Sequence, residues 1–524
     1  MARPRRDATR RRNRRRRAGI RAAALLLTTL SALPLVPAAG LAQASGVGGT
    51  WERSPFRLAL GAGGRFRLTA NSLLHSSGSY LVRGDTIVLR EEGRAVVCPA
   101  GAEGRYRWML LAGDLALEPV GEACARRAEA LGGRGWTRAA DVERRALVGA
   151  TVVDGTGGPA RRGTTILIAD GVIEDVFRDG AKELPPRVEV VRVRGRWVIP
   201  GLIDTHAVVD PGWESRALTR RRLADALYGG VTAMRIHGST DPGALAELRE
   251  SARSGLEAPM LLLPALVVGR DTERFLPVDG SDGSGSAASP VVRAVWRWNA
   301  LERARGSRAR GVQFLQGVDR QRIRSFMVGA ERLGLRGWSD AALPPLRPSD
   351  LVGSGIALLS DASLLPREGS HEEVDRLLAL MAERGASLEP LLSRVRAYRS
   401  DATAEQAADV TRRAREVGVR IVAGTGYLGD PAPTPPPDVR EEMRLLVERA
   451  GLTPHEALLS ATAWAADALG LGGGVGRIVP GQVANLVVLS RNPLESIPEP
   501  RSVVQVFLEG VPYGPPTGGG ARRP

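Results

Sequence analysis

Gly201-Leu202-Ile203-Asp204-Thr205-His206-Ala207-Val208 is the stretch on which the reading of this chain turns. Apolar residues lead into an Asp-Thr-His tip, the pattern of a buried strand that ends in polar side chains. Alternate residues of a strand share a face, so positions 206 and 208 sit about 6 to 7 Å apart on one side. Two histidines so placed can hold one metal ion between them. Here the second position is Val208, which has no lone pair to donate.

Outward from this point, the upstream runs LVGATVVDG (147–155), TTILI (164–168), DGVIE (170–174) and GRWVIPG (195–201) read as short strands and tight turns. Downstream, apolar strand-like runs alternate with helical patterns at 221–229, 242–254, 320–333, 372–384 and 404–417. That alternation predicts a (β/α)8 barrel. Near the C-terminus stand GLTPHEAL (451–458), AADALG (465–470), GRIVPG (476–481), ANLVV (484–488) and RNP (491–493). Taken together, residues 146–513 resemble the amidohydrolase superfamily, most closely its imidazolonepropionase and prolidase-type branch. The resemblance implies an α/β fold: a TIM-like (β/α)8 barrel over 200–475, with a composite β-sandwich assembled from 146–199 and 476–513. Residues 279–289 and 431–437, rich in Gly/Ser and Pro, read as loops on the barrel face.

In such barrels chemistry sits where the strands end. A binuclear member needs two histidines on strand one, a carboxylated lysine, two further histidines, and an aspartate that binds metal and takes a proton from the attacking water. His206 keeps its place and Val208 replaces its partner. The segment 308–317 resembles the lysine-bearing strand, with Gln316 at the lysine position; Lys182 is the chain's one lysine and lies outside the barrel. Trp338 and Asp361 stand in segments whose histidines are absent, and Gly426 in GTG (424–426) stands where the aspartate belongs. His206 is thus the one surviving ligand position. Of the other histidines, His75 falls in the N-terminal segment, His371 opens a helix, His455 sits in a polar turn and His237 ends a strand, where it can join the pocket. An ion held by His206, His237 and Asp361 would be zinc or iron. No Gly-x-Ser-x-Gly elbow or phosphate loop offers another chemistry.

Residues 48–140 differ in texture. β-favouring runs at 64–69, 79–83, 85–90 and 106–111 alternate with Gly-rich turns, which predicts a small antiparallel barrel. GGTW (48–51), CARR (124–127) and WTR (136–138) resemble the lipocalin-like modules of exported bacterial proteins, with an interior filled by side chains. Before it, eleven arginines, an apolar run and Ala42-Gln43-Ala44 match the layout of a signal peptide over 1–44, by the general or the twin-arginine route. Export makes a Cys98–Cys124 disulfide the expected state of the two cysteines.

The net charge of +16 is mostly local: residues 1–44 carry +10, leaving 16 − 10 = +6 over the rest. Nucleic acid is therefore not the expected partner. The chain is expected to be periplasmic or extracellular, without a stable membrane span once the leader is removed, possessing domains 1–44, 45–140, the sandwich, the barrel and a disordered tail at 514–524. The leading functional expectation is a pseudoenzyme, free of metal, that binds a small-molecule ligand or partner, with homodimerisation as a family habit. The alternatives are a hydrolase of carbon–nitrogen bonds with a mononuclear zinc or iron site, and an envelope-associated adaptor that uses its N-terminal module.

Overall fold

The computed structural model describes residues 47–61, 65–70, 73–91, 98–99, 101–111, 114–138, 144–186, 188–208, 216–237, 257–262, 266–268, 273–275, 311–315, 317–332, 334–367, 369–426 and 438–514. The leader, the helix expected at 242–254, both long loops, Gln316 and the tail beyond Gly514 lie outside these residues.

The N-terminal segment is a closed antiparallel barrel of eight strands, from Gly49–Arg53 to Gly133–Arg138. The first strand pairs with the last, Trp51 opposite Arg138, so the sheet has no free edge. Alternation does the sorting: Leu58, Leu60, Phe66, Leu68, Tyr80, Val82, Ile87 and Leu89 point inward and are buried. Trp51, Tyr106 and Trp136, all fully buried, fill the middle. Arg127, also fully buried, lies between Glu91 at 3.0 Å and Glu122 at 2.8 Å, and Ser76 donates to Glu91 at 2.5 Å. Cys98 and Cys124 form a disulfide beside this cluster, directly before the helix Ala125–Leu131 that carries Arg127.

Residues 144–200 and 486–513 build the second unit. The antiparallel pairing of Trp197–Pro200 with Leu486–Leu489 stitches the two ends of the segment together. The strands from both ends join in one hydrogen-bonded sheet of eight that folds over on itself: a Cβ on Gly171 would press against the Glu509 carbonyl, and Arg145 Nη1 donates to the Gly510 carbonyl. Leu147, Val152, Ile166, Val198, Leu486 and Phe507 share its buried core.

The third unit supplies parallel strands at Leu202–Ala207, Val231–Ile236, Met260–Leu262, Leu266–Val268, Gly311–Phe314, Arg336–Asp340, Ile356–Ser360, Ser387–Glu389 and Arg420–Ile421. Met260–Leu262 and Leu266–Val268 are three residues apart and together occupy one position, giving the eight of a TIM-like barrel. Thr205 N–H donates to the Ala423 carbonyl at 3.1 Å, which joins the first strand to the last. Helices alternate with the strands for local reasons. In His371–Arg384, Ser370 caps the first turn in a capping box with Glu373, Val374, Leu377, Leu378 and Met381 face the core, and Gly385 at φ 65° ends the helix.

Helices expected at 320–333, 372–384 and 404–417 appear as Arg320–Arg332, His371–Arg384 and Asp401–Glu416. The one expected at 221–229 runs from Arg216 to Tyr228. His455 belongs to the first turn of a helix, Pro454–Ser460, and not to a polar turn: Pro454 pre-sets the first helical φ and Thr453 with Glu456 caps it. Among the described residues no helix is long and apolar enough to cross a membrane.

Candidate functional site: a closed polar network at the barrel centre

Four strand ends converge on Glu389. It closes the strand Ser387–Glu389, is fully buried, and its Oε2 accepts three hydrogen bonds. His206 Nδ1 approaches at 2.6 Å, Ser360 Oγ at 2.5 Å and Arg235 Nη2 at 3.0 Å. A carboxylate only accepts, so the His206 proton resides on Nδ1. Arg235 lies 3.2 Å from that same Nδ1, so the two are donors flanking one oxygen. Arg235 reaches further: Nη1 donates to Gln313 Oε1 at 3.0 Å, Nε donates to the Thr205 carbonyl, and the guanidinium lies over the Trp338 ring at 5.1 Å.

Burial works against the Glu389 charge, but the Arg235 and His206 charges and the donated hydrogen bonds outweigh it and hold the carboxyl at about 2. Glu389 is therefore ionised at every ordinary pH. Its other oxygen, Oε1, is buried without a partner among the described residues, and a Cβ on Gly424 would come within 2.9 Å of it and within 2.7 Å of His206 Cβ. Glycine at 424 is thus a requirement of this packing.

The surviving Asp204-Thr205-His206 tip is well supported. Asp204 Oδ1 accepts the backbone N–H groups of His206 and Thr425, each at 3.0 Å, and Oδ2 accepts Thr425 Oγ1 at 2.8 Å. Burial nevertheless pushes Asp204 upward from the usual carboxylate range. These bonds tie the first strand tip to the last.

The predicted positions separate into those the fold brings together and those it does not. His206 and His237 meet, stacked with ring centroids 4.0 Å apart and planes 28° apart. Lone pairs lie in the ring planes, so rings stacked in this way do not converge on an ion about 2 Å from each. His237 Nε2 lies 3.9 Å from Asp340 Oδ1, and burial, then the His206 and Arg235 charges, lower its pKa well below the usual value, so the ring is neutral. Asp361, in a left-handed conformation at φ 74°, is turned to Ser363 and to Arg394, 3.2 Å away. Gly426 N–H donates to the His206 carbonyl at 2.8 Å, and at φ 60° a Cβ there would meet Arg394 Cδ at 2.8 Å. Trp338 is buried and Val208 half-buried. Among the described residues no three His, Cys, Asp or Glu side chains gather as a metal-binding group. The donors present do not fit the binuclear centre that the family resemblance implies, and no step is derived through one.

Four members of the network were not singled out from sequence: Arg235, Gln313, Ser360 and Glu389. Arg235 and Gln313 stand in apolar strands and Glu389 follows Ala386-Ser387-Leu388, so an unexpected polar residue inside a strand pattern is the one signal that marked them.

Residues 363–512 match the Amidohydrolase family. A dihydroorotase from Anaeromyxobacter dehalogenans is 31% identical over 178 residues, 30% of this chain and 39% of that protein. An ochratoxinase from Aspergillus niger is 38% identical over 117 residues, 21% of this chain and 23% of that protein. The matched stretches thus span well under half of these curated relatives. In structure, the A. niger ochratoxinase superposes with a TM-score of 0.56 at 20% identity, covering 72% of this chain and 98% of that one. A molinate hydrolase superposes equally well, with a TM-score of 0.56 at 19% identity over 72% and 95% of the two chains. Strand order and these likenesses agree: residues 363–512 belong to the Amidohydrolase family, and the barrel has the fold of these hydrolases.

Proposed function

We propose that this protein is an exported amidohydrolase-family pseudoenzyme, a scaffold that has replaced its metal centre with an internal ion pair and acts by binding a ligand or partner. The observation that carries the reading is the closure of His206, Arg235 and Ser360 on one oxygen of Glu389. A buried guanidinium next to the last ligand histidine repels a divalent cation and at the same time takes over its task of neutralising buried negative charge. Export is supported by the Cys98–Cys124 disulfide, which persists in an oxidising compartment.

The experiment is elemental analysis of the purified chain, paired with hydrolysis assays on N-acyl amino acids and on dihydroorotate. The expected result is less than one-tenth of an equivalent of zinc, iron or manganese and no turnover. One tightly held equivalent accompanied by amide hydrolysis would overturn the reading.

A second reading, hydrolysis of carbon–nitrogen bonds, has its own observation. His237, neutral, lies beside Asp340, whose pKa burial raises, where the strands Val231–Ile236 and Arg336–Asp340 end across the barrel from each other. Turnover lost on D340N but retained in the presence of chelator would favour it.

A further inference from the structure

The junction between the N-terminal barrel and the mixed sheet holds two cavities, of about 780 and 830 Å3, and Arg67 lines both. Arg67 is on the outer face of the strand Arg65–Ala70, since its neighbours Phe66 and Leu68 point into the barrel core. It is 7% exposed, and its Nη1 donates to the Gly481 carbonyl across the junction. Its Nε and Nη2 are buried without a partner among the described residues.

The other arginines lining the 780 Å3 cavity are paired with carboxylates. Arg57 has Asp170 at 3.4 Å, Arg144 has Glu174 at 3.1 Å, Arg477 has Asp467 at 2.8 Å and Arg420 has Asp467 at 3.6 Å. Arg67 differs. Burial pushes its pKa down to about 10 while Glu509 pulls it back, so it stays a cation at neutral pH. Nε–H and Nη2–H form one edge of the guanidinium, the fork that accepts both oxygens of a carboxylate. Around that edge Ala59, Val172, Val479 and Pro480 supply apolar wall.

We infer that this junction is a binding site for an amphiphilic carboxylate, whose head takes the open edge of Arg67 and whose hydrocarbon part lies against Ala59, Val172, Val479 and Pro480. A buried donor pair left open is destabilising, and a ligand carboxylate offsets that on entry. The cavity volume suits a chain of moderate length, within the roughly 300–1,000 Å3 of small-molecule pockets. The inference concerns a site away from Glu389 and stands or falls independently of the pseudoenzyme reading.

The test is calorimetric titration of the full chain with octanoate, against octan-1-ol, octylammonium and acetate, for wild type, R67M and A59W. Octanoate is expected to bind with one site per chain, and the other three probes at least tenfold more weakly. R67M should weaken octanoate at least tenfold, and A59W, which fills the cavity while leaving the guanidinium in place, should do the same. If R67M disturbs folding by circular dichroism, A59W decides alone. No octanoate binding at millimolar concentration, equal binding of octan-1-ol, or wild-type affinity in A59W would each overturn the inference.

Discussion

Replacing Glu389 by leucine removes the acceptor on which the barrel centre is organised, and the cost can be worked from the geometry. The carboxyl is held at about 2 against an ordinary value of 4.5, and 2.5 units at about 1.36 kcal/mol each amount to about 3 kcal/mol of stabilisation of the charged form. The truncation also strands Arg235, 1% exposed, as a buried cation facing a Trp338 ring and a glutamine oxygen. Breaking one partner of a buried pair typically costs about 3–5 kcal/mol, in line with the first figure. E389L should therefore lower stability at pH 7 by about 3–5 kcal/mol. R235M should cost about 2–4 kcal/mol, since Glu389 keeps two donors in His206 and Ser360.

The double variant R235M/E389L leaves neither charge unpaired, so it should be less damaging than the sum of the singles by at least about 2 kcal/mol. Urea denaturation of all four proteins, followed by far-ultraviolet circular dichroism at constant ionic strength, gives this coupling. The pH profile adds a second readout. A depressed carboxylate pKa contributes stability that is full above about 4.5 and is lost as pH falls through about 2, so the wild-type excess over E389L should shrink across that window. Additive single costs, or an E389L within 1 kcal/mol of wild type, would show that the ion pair does not hold the barrel centre and would remove the main support for the pseudoenzyme reading.

Glu442 titrates in the opposite sense. Burial raises it to about 7 although it accepts the Leu392 and Ser393 N–H groups at 2.9 and 2.7 Å, so its contribution is full below about 4.5 and is lost as pH rises through 7. E442Q should flatten the fall in urea midpoint between pH 5 and 8, and an unchanged slope would contradict the assignment. Reducing Cys98–Cys124 opens a 26-residue loop, so C98A/C124A should lose about 3 kcal/mol from the N-terminal barrel's unfolding free energy, read by the fluorescence of Trp51 and Trp136. G426D restores an aspartate in name, but φ 60° and the 2.8 Å approach to Arg394 predict about 1–3 kcal/mol of destabilisation with no gain in zinc affinity by competition with a chelator dye.

Much of the fold was legible because period and punctuation survive in the sequence. Helices at 320–332, 371–384 and 401–416 carry unbroken apolar stripes between clear caps, whereas Pro348–Gly353, Leu392–Tyr398 and Ala463–Ala468 have seven residues or fewer, too short for a stripe to declare itself. That strands from the two chain ends share one sheet is a point pattern cannot address, because the pairing of Trp197–Pro200 with Leu486–Leu489 is a tertiary choice. At the site, Val208 and Gly426 depart by identity alone from the ligand types that the family resemblance implies. Arg235 and Glu389 could not announce what replaced them, because a chain with this many arginines and carboxylates offers no reason to bury one particular pair.

That pair also bears on whether the loss of ligands can be reversed. His206 keeps its strand-tip bonds through Asp204 and Thr425, so the first ligand remains in place. A returning metal, however, would have to compete with Glu389 for His206 and sit beside the Arg235 guanidinium. Gly424 lets His206 and Glu389 approach, and Gly426 leaves room for Arg394, which in turn holds Asp361. His206 is thus bonded to Glu389, Gly426 is packed against Arg394, and Asp361 is held by the same arginine. Restoring one residue at a time therefore costs stability before any affinity is gained, and only removal of Arg235 together with Glu389 frees His206 to coordinate. Zinc binding by R235M/E389L, measured against its absence in either single variant, distinguishes a scaffold locked by this ion pair from one that merely lacks ligands.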